Sequence, residues 1–120
     1  MTFNNNGEVI GNSSKHSVRS KSQVNVTINN KGSIKAVEGQ YALLFYGNST
    51  VVFNAYAGST LTKAANKDIM TNNSSNHAKL VTFNVQTGAD GVENDAYYGM
   101  KPFTTTYDCK LVINFDANLQ

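Results

Sequence analysis

Val51-Val52-Phe53-Asn54 is one of four matching stretches in this chain, the others being Val26-Thr27-Ile28-Asn29, Val81-Thr82-Phe83-Asn84 and Leu111-Val112-Ile113-Asn114. Each reads aliphatic, then Val or Thr, then Ile or Phe, then Asn. Their start points lie 25, 30 and 30 residues apart. The match extends outward, since Gly32-Ser33, Gly58-Ser59 and Gly88-Ala89 follow three of the copies, with Ala117-Asn118 in the weaker fourth. A return at this distance is the length of one turn of a parallel β-solenoid with two or three short strands per turn. Equivalent strands of such turns pair in register ~4.8 Å apart, so like residues stack on like.

The pattern makes two specific predictions. Alternate residues of a strand face one side, so Ile28, Phe53, Phe83 and Ile113 are expected to stack as a core column. Asn29, Asn54, Asn84 and Asn114 are expected to form a ladder at a corner, each amide donating to one neighbour and accepting from the other. The fold class expected is all-β, a parallel β-helix (β-solenoid) of about four turns. An antiparallel β-sandwich also has many short strands. It does not call for the same four residues, Asn included, at this spacing.

Composition agrees with strands. The 120 residues suit one domain, with 17 Asn, 11 Thr and 10 Ser, one Pro and no Trp. Asn, Ser and Thr compete with helical backbone bonds and favour turns, whereas the plentiful Val, Ile, Thr, Tyr and Phe suit strands. Tyr41-Ala42-Leu43-Leu44-Phe45-Tyr46, ending at Gly47-Asn48, reads as a further buried strand. Ile34-Lys35-Ala36-Val37 and Ser59-Thr60-Leu61-Thr62 occupy like places after their glycines. Residues 1–21 lack the repeat and read as a polar lead-in or cap. Residues 22–120 read as the solenoid segment, and a start in mid-pattern suggests a piece cut from a longer protein.

Charge and cysteine exclude some functions. The net charge is +2, with basic residues scattered. A nucleic-acid partner is therefore not expected, because such binders gather Lys and Arg on one face. The densest basic set, Lys15, His16, Arg19 and Lys21, reads as a solvated tail. Cys109 is the only cysteine and sits beside an apolar run, which suits a buried thiol. No apolar run approaches the ~20 residues of a transmembrane helix, so no transmembrane segment is expected.

Chemistry-bearing candidates are few. Asp90, Glu93 and Asp95 lie in a Gly-containing loop and together could hold Ca²⁺. Their spacing matches no calcium-loop pattern, and a solvated loop is the preferred reading, with no cofactor expected. Asp68, Asp108 and Asp116 are isolated in sequence, Arg19 is the single arginine, and His16 and His77 have no nucleophile motif beside them. Polysaccharide hydrolysis needs two placed carboxylates, so the chain is expected to be non-catalytic. Tyrosine joins a large apolar ring to a polar tip and suits sugar or protein surfaces. Tyr97 and Tyr98, beside the acidic loop, are the ligand-binding candidates, while Tyr41, Tyr46 and Tyr56 are expected to pack in the core or on a strand face.

The repeats with Val-Thr-Ile-Asn followed by Gly-Ser-Ile, or Val-Val-Phe-Asn followed by Gly-Ser-Thr-Leu, resemble the pectate-lyase-like adhesive β-helix domains of Gram-positive, lactobacillus-type cell-surface proteins. The resemblance covers about residues 22 to 118 and is one of architecture. It implies a right-handed β-helix and an extracellular location at the cell surface or cell wall. It implies adhesion to host or cell-wall glycan, mucin or another copy of the same surface protein, without lyase catalysis. Self-association head to tail belongs to the same expectation, because end strands of a stack are open edges. A polysaccharide-active fragment and a phage or fibre structural segment are the alternatives.

Overall fold

The computed structural model describes residues 1–20, 25–45, 48–65, 67, 69–70, 78–90 and 110–120. Among these the regular structure is entirely strand. In chain order the strands are β1 (Thr2–Asn5), β2 (Glu8–Ile10), β3 (Val18–Arg19), β4 (Asn25–Asn30), β5 (Ser33–Lys35), β6 (Leu43–Leu44), β7 (Ser49–Ala55), β8 (Thr60–Thr62), β9 (Ala78–Val85) and β10 (Lys110–Phe115). They form three sheets, ordered β1-β4-β7-β9-β10, β2-β5-β8 and β3-β6. Every pairing between these strands is parallel. Parallel pairing leaves no place for the antiparallel sandwich. The chain visits the three sheets in one fixed order, and Met70, bridged to Leu43, and Asp90, bridged to Thr60, keep that order where no named strand is formed.

The register of the large sheet is the one the repeat predicts. Ile28 pairs with Phe53, Phe53 with Phe83 and Phe83 with Ile113. Ile28, Phe53 and Phe83 are completely buried, and Ile113 packs half-buried against the same core. The Phe53 and Phe83 rings lie 5.3 Å apart at 41°, a tilted pair of the kind that contributes about 0.5–1.5 kcal/mol beyond the burial of the two rings. Burial itself contributes about 1.5–3 kcal/mol per large side chain. The second sheet supplies a parallel column, Val9, Ile34 and Leu61, with Ile34 and Leu61 fully buried. Ala42, Leu43, Leu44 and Phe45 are buried beside the third sheet, though only Leu43–Leu44 is strand.

Residues 1–20, the described part of the segment expected to lack the repeat, carry it. Thr2, Phe3, Asn4 and Asn5 pair in register with Thr27, Ile28, Asn29 and Asn30. β2 and β3 likewise join β5 and β6. Met1-Thr2-Phe3-Asn4 is thus a fifth copy, missed because Met stands where the others carry Val or Leu. Nor is the described part of the basic stretch a solvated tail. Arg19 lies in β3 opposite Leu44, Lys15 closes a tight turn with Asn12, and His16 is half-buried.

The repeat lengthens from 25 to 30 residues, and the register shows where. Two residues enter at the corner after β7, where Ala55 to Thr60 replaces the shorter Asn30 to Ser33. Two more enter between Met70 and Ala78, the counterparts of Leu43 and Ser49. The last is Lys79, a bulge between Ala78 and Leu80, which face Ser49 and Thr50.

The two corner types have different chemistry. In the short corners Asn5 and Asn30 point inward and are buried. Asn30 Oδ1 accepts from Gly32 N at 3.3 Å and from Asn5 Nδ2 at 3.0 Å, while its Nδ2 donates to Thr60 O at 3.0 Å. The side chain therefore supplies the turn's missing partners, as Asn does in Asx-turns. Gly32 is required there, because a Cβ would collide with the Gly7 carbonyl. In the long corners the backbone closes its own turns, Ser59 N to Tyr56 O and Ala89 N to Gln86 O, both at 3.0 Å. Gly58 and Gly88 take φ of 82° and 92° at the third turn position, which type II turns reserve for glycine. Freed of that duty, the inward positions become the apolar Ala55 and Val85.

Candidate functional cleft

The Asn ladder forms, and it is longer than expected. Asn29 Nδ2 donates to Asn4 Oδ1 at 2.9 Å, Asn54 to Asn29 at 2.9 Å, Asn84 to Asn54 at 3.0 Å and Asn114 to Asn84 at 2.9 Å. One correction is needed. These residues do not occupy the corner, which belongs to Asn5 and Asn30. They stand one place earlier, on the outward face of the large sheet, because side chains alternate along a strand and the buried neighbours point in. A primary amide has two N–H groups and two acceptor lone pairs. An interior rung spends one of each on the ladder and keeps one of each for whatever meets that face.

A second column runs beside the ladder at the corner. Asn6, Lys31, Tyr56 and Gln86 each follow the last residue of their strand's register, so they lie on successive layers. Lys31 Nζ sits 4.8 Å from the centre of the Tyr56 ring, a cation–π contact. Between the two columns opens a cleft of about 270 Å³, lined by Asn4, Asn6, Asn29, Lys31 and Tyr56. Tyr56 was expected to pack in the core or on a strand face, but it is half-exposed at this corner. It follows the inward Ala55, as Lys31 follows the inward Asn30, and so stands on the outer side of the corner. Gln86 continues the column, its amide accepting from Ala57 N at 2.8 Å and donating to Leu119 O at 3.1 Å. The cleft thus combines amide donors and acceptors, one ammonium and one aromatic ring, and no carboxylate lines it.

A smaller cluster surrounds His16 on the third side. Its Nδ1 accepts the Tyr41 backbone N–H at 2.9 Å, and the two rings lie 5.6 Å apart. Lys67 Nζ approaches the Tyr41 ring at 5.2 Å. Burial, then the charges of Arg19 and Lys67, lower the His16 pKa below its ordinary value. A proton on Nδ1 would also displace the Tyr41 N–H, so the geometry and the shift both favour the neutral ring.

The other candidates divide by position. Asp90 is exposed, and its backbone N donates to Ser59 O at 2.8 Å. Glu93, Asp95, Tyr97 and Tyr98 lie outside the described residues, as do Tyr46, Asp68, His77, Asp108 and Cys109. Asp116 is tied to the preceding layer by Thr87 Oγ1 at 2.7 Å. Among the described residues no three His, Cys, Asp or Glu side chains gather to hold a metal ion, and no helix is long and apolar enough to cross a membrane.

Comparison with family models, with curated proteins and with solved structures found no significant match to this chain. The functional reading therefore rests on the chain's own sequence and geometry.

Proposed function

We propose that the chain is a non-catalytic surface module that binds polymeric glycan, mucin or a neighbouring copy of itself, and that its fold is a right-handed parallel β-helix of about four turns. The observation that carries the functional reading is the five-rung ladder on the outward face of the large sheet. It repeats one hydrogen-bonding group at the strand spacing of ~4.8 Å, a regular polar surface suited to an extended polymer. The cyclic visiting order of the three parallel sheets supports the helical winding. The resemblance to adhesive surface domains supports an extracellular location at the cell surface or wall.

The test is a panel of glycans and mucins offered to the purified chain, with the polymers analysed afterwards for shortened products. Retention on at least one polymer with no product is the expected result. Depolymerisation would replace this reading with a polysaccharide-active one, and failure to bind any polymer or any second copy would remove the adhesive role.

A further inference from the structure

Resting on that adhesive reading, we propose that the cleft at the first corner of the large sheet is its binding site, and that it takes a carboxylate-bearing sugar of an acidic polysaccharide. The amide groups there keep hydrogen-bonding capacity, whereas those of the turns are spent. Asn5, Asn12 and Asn30 spend their amides on turns and neighbouring layers. Asn6 makes no side-chain hydrogen bond within the described structure, and Asn4 uses only its Oδ1, leaving Nδ2 to the cleft. Asn29 bonds along the ladder in both directions and keeps its second N–H and second lone pair.

Three requirements of an acidic sugar are met side by side. Amide groups carrying donor and acceptor in one plane match the hydroxyls of a pyranose, each of which also donates and accepts. The Tyr56 ring supplies an apolar surface for the sugar's C–H face. Lys31 supplies the charge. It has no ion-pair partner among the described residues and its ammonium rests against the Tyr56 ring. An arriving carboxylate exchanges that contact for a charge-assisted hydrogen bond. The lining carries one cation and no anion, so a carboxylate enters without repulsion from the cleft wall. The cleft crosses three layers, with Asn4 and Asn6 on one, Asn29 and Lys31 on the next and Tyr56 on the third. A bound polymer would therefore run along the stacking direction, following the ladder.

The experiment measures affinity for alginate oligosaccharides, for dextran oligosaccharides as neutral sugars, and for poly-glutamate as an acidic non-sugar. The proteins are the wild-type chain, Lys31→Gln, Tyr56→Ala and, as a control on a different sheet, Lys35→Gln. Alginate is expected to bind best and to weaken with added salt. Lys31→Gln should lose roughly tenfold for alginate, Tyr56→Ala about the same, and Lys35→Gln nothing. A circular-dichroism melt on each variant separates lost binding from lost folding, and both cleft residues are exposed enough to be replaced without opening the core. Equal binding of dextran would overturn the acidic class, and equal binding of poly-glutamate would overturn the sugar. Alginate binding unaffected by either cleft substitution would overturn this site while leaving the adhesive reading intact. No binding to any of the three would overturn the proposal outright, and the wider panel above would then decide the adhesive role separately.

Discussion

Asn54 donates its side-chain N–H to Asn29 Oδ1 at 2.9 Å, and the two residues are register partners on adjacent parallel strands 25 positions apart. The same bond recurs between Asn84 and Asn54 across a 30-residue interval. The ladder is thus indifferent to the length of chain between rungs and depends only on register. Asn54→Ala removes a donor and an acceptor at once, and each net hydrogen bond contributes about 0.5–1.5 kcal/mol. Because the face is half-exposed, water replaces part of the loss. A destabilisation of about 1–2 kcal/mol is expected in urea titration, with the slope of the transition unchanged.

The inward Asn30 should matter more than the outward Asn54. It is completely buried, and its amide serves Gly32 N, Asn5 Nδ2 and Thr60 O. Asn30→Ala strips Gly32 N and Thr60 O of this partner at a part-buried corner, where an unsatisfied polar group costs about 1–3 kcal/mol, while Asn5 Nδ2 retains Ser33 O. The predicted order of urea midpoints is wild type, then Asn54→Ala, then Asn30→Ala. A reversed order would contradict the division of labour between the two amide columns.

The phenylalanine stack should tolerate no truncation. Phe53 and Phe83 are completely buried and in contact. Phe53→Ala should cost about 3–5 kcal/mol, a large part of the 5–15 kcal/mol that typically holds a domain folded. Phe53→Leu keeps most of the volume and should cost much less. Thermal melts of the two variants check this, and coupling to Phe83 can be read from the double variant.

Two glycines at equivalent corners should respond oppositely. A Cβ at Gly32 meets the Gly7 carbonyl, whereas a Cβ at Gly7 meets nothing within 4 Å. Gly32→Ala must therefore push two layers apart or distort the turn. Gly7→Ala should melt within a few degrees of wild type, while Gly32→Ala should lose most of its cooperative transition.

Acid should loosen the third side of the stack. The folded His16 pKa lies below its ordinary value of 6.5. Between the folded pKa and 6.5 the unfolded chain binds more protons than the folded one, so stability rises with pH through that window. The contribution is present above about pH 6.5 and is lost as pH falls toward the folded pKa. His16→Gln, which cannot titrate, should flatten this part of the stability–pH curve. A dependence of the same slope in His16→Gln would assign the effect to another group.

Register and core were legible in the sequence wherever a layer repeated its whole pattern. Phe53 over Phe83 and Asn54 over Asn84 could be read directly, because parallel in-register stacking places like on like. The first layer was missed for one atypical residue, Met1, although Phe3 and Asn4 stand 25 places before Ile28 and Asn29. The cleft was not legible for a different reason. Asn6, Lys31 and Tyr56 share no residue type and no pattern. Only the strand register makes them neighbours. A search at the 25-residue offset from the end of each strand would have aligned them as a column, without revealing the space between that column and the ladder.

The central claim is a stack of parallel layers in one register, since both the ladder and the cleft exist only through it. Thr2, Thr27, Val52, Thr82 and Val112 are successive partners on its outward face. The most direct test places spin labels at Thr2→Cys and Val112→Cys, with Cys109→Ala to remove the native thiol, and measures their separation by pulsed electron resonance. Four strand spacings predict a single narrow distribution with backbone positions roughly 19 Å apart. A broad distribution, or one centred well beyond that distance, would contradict the stacked register and with it the polar face on which the functional reading rests.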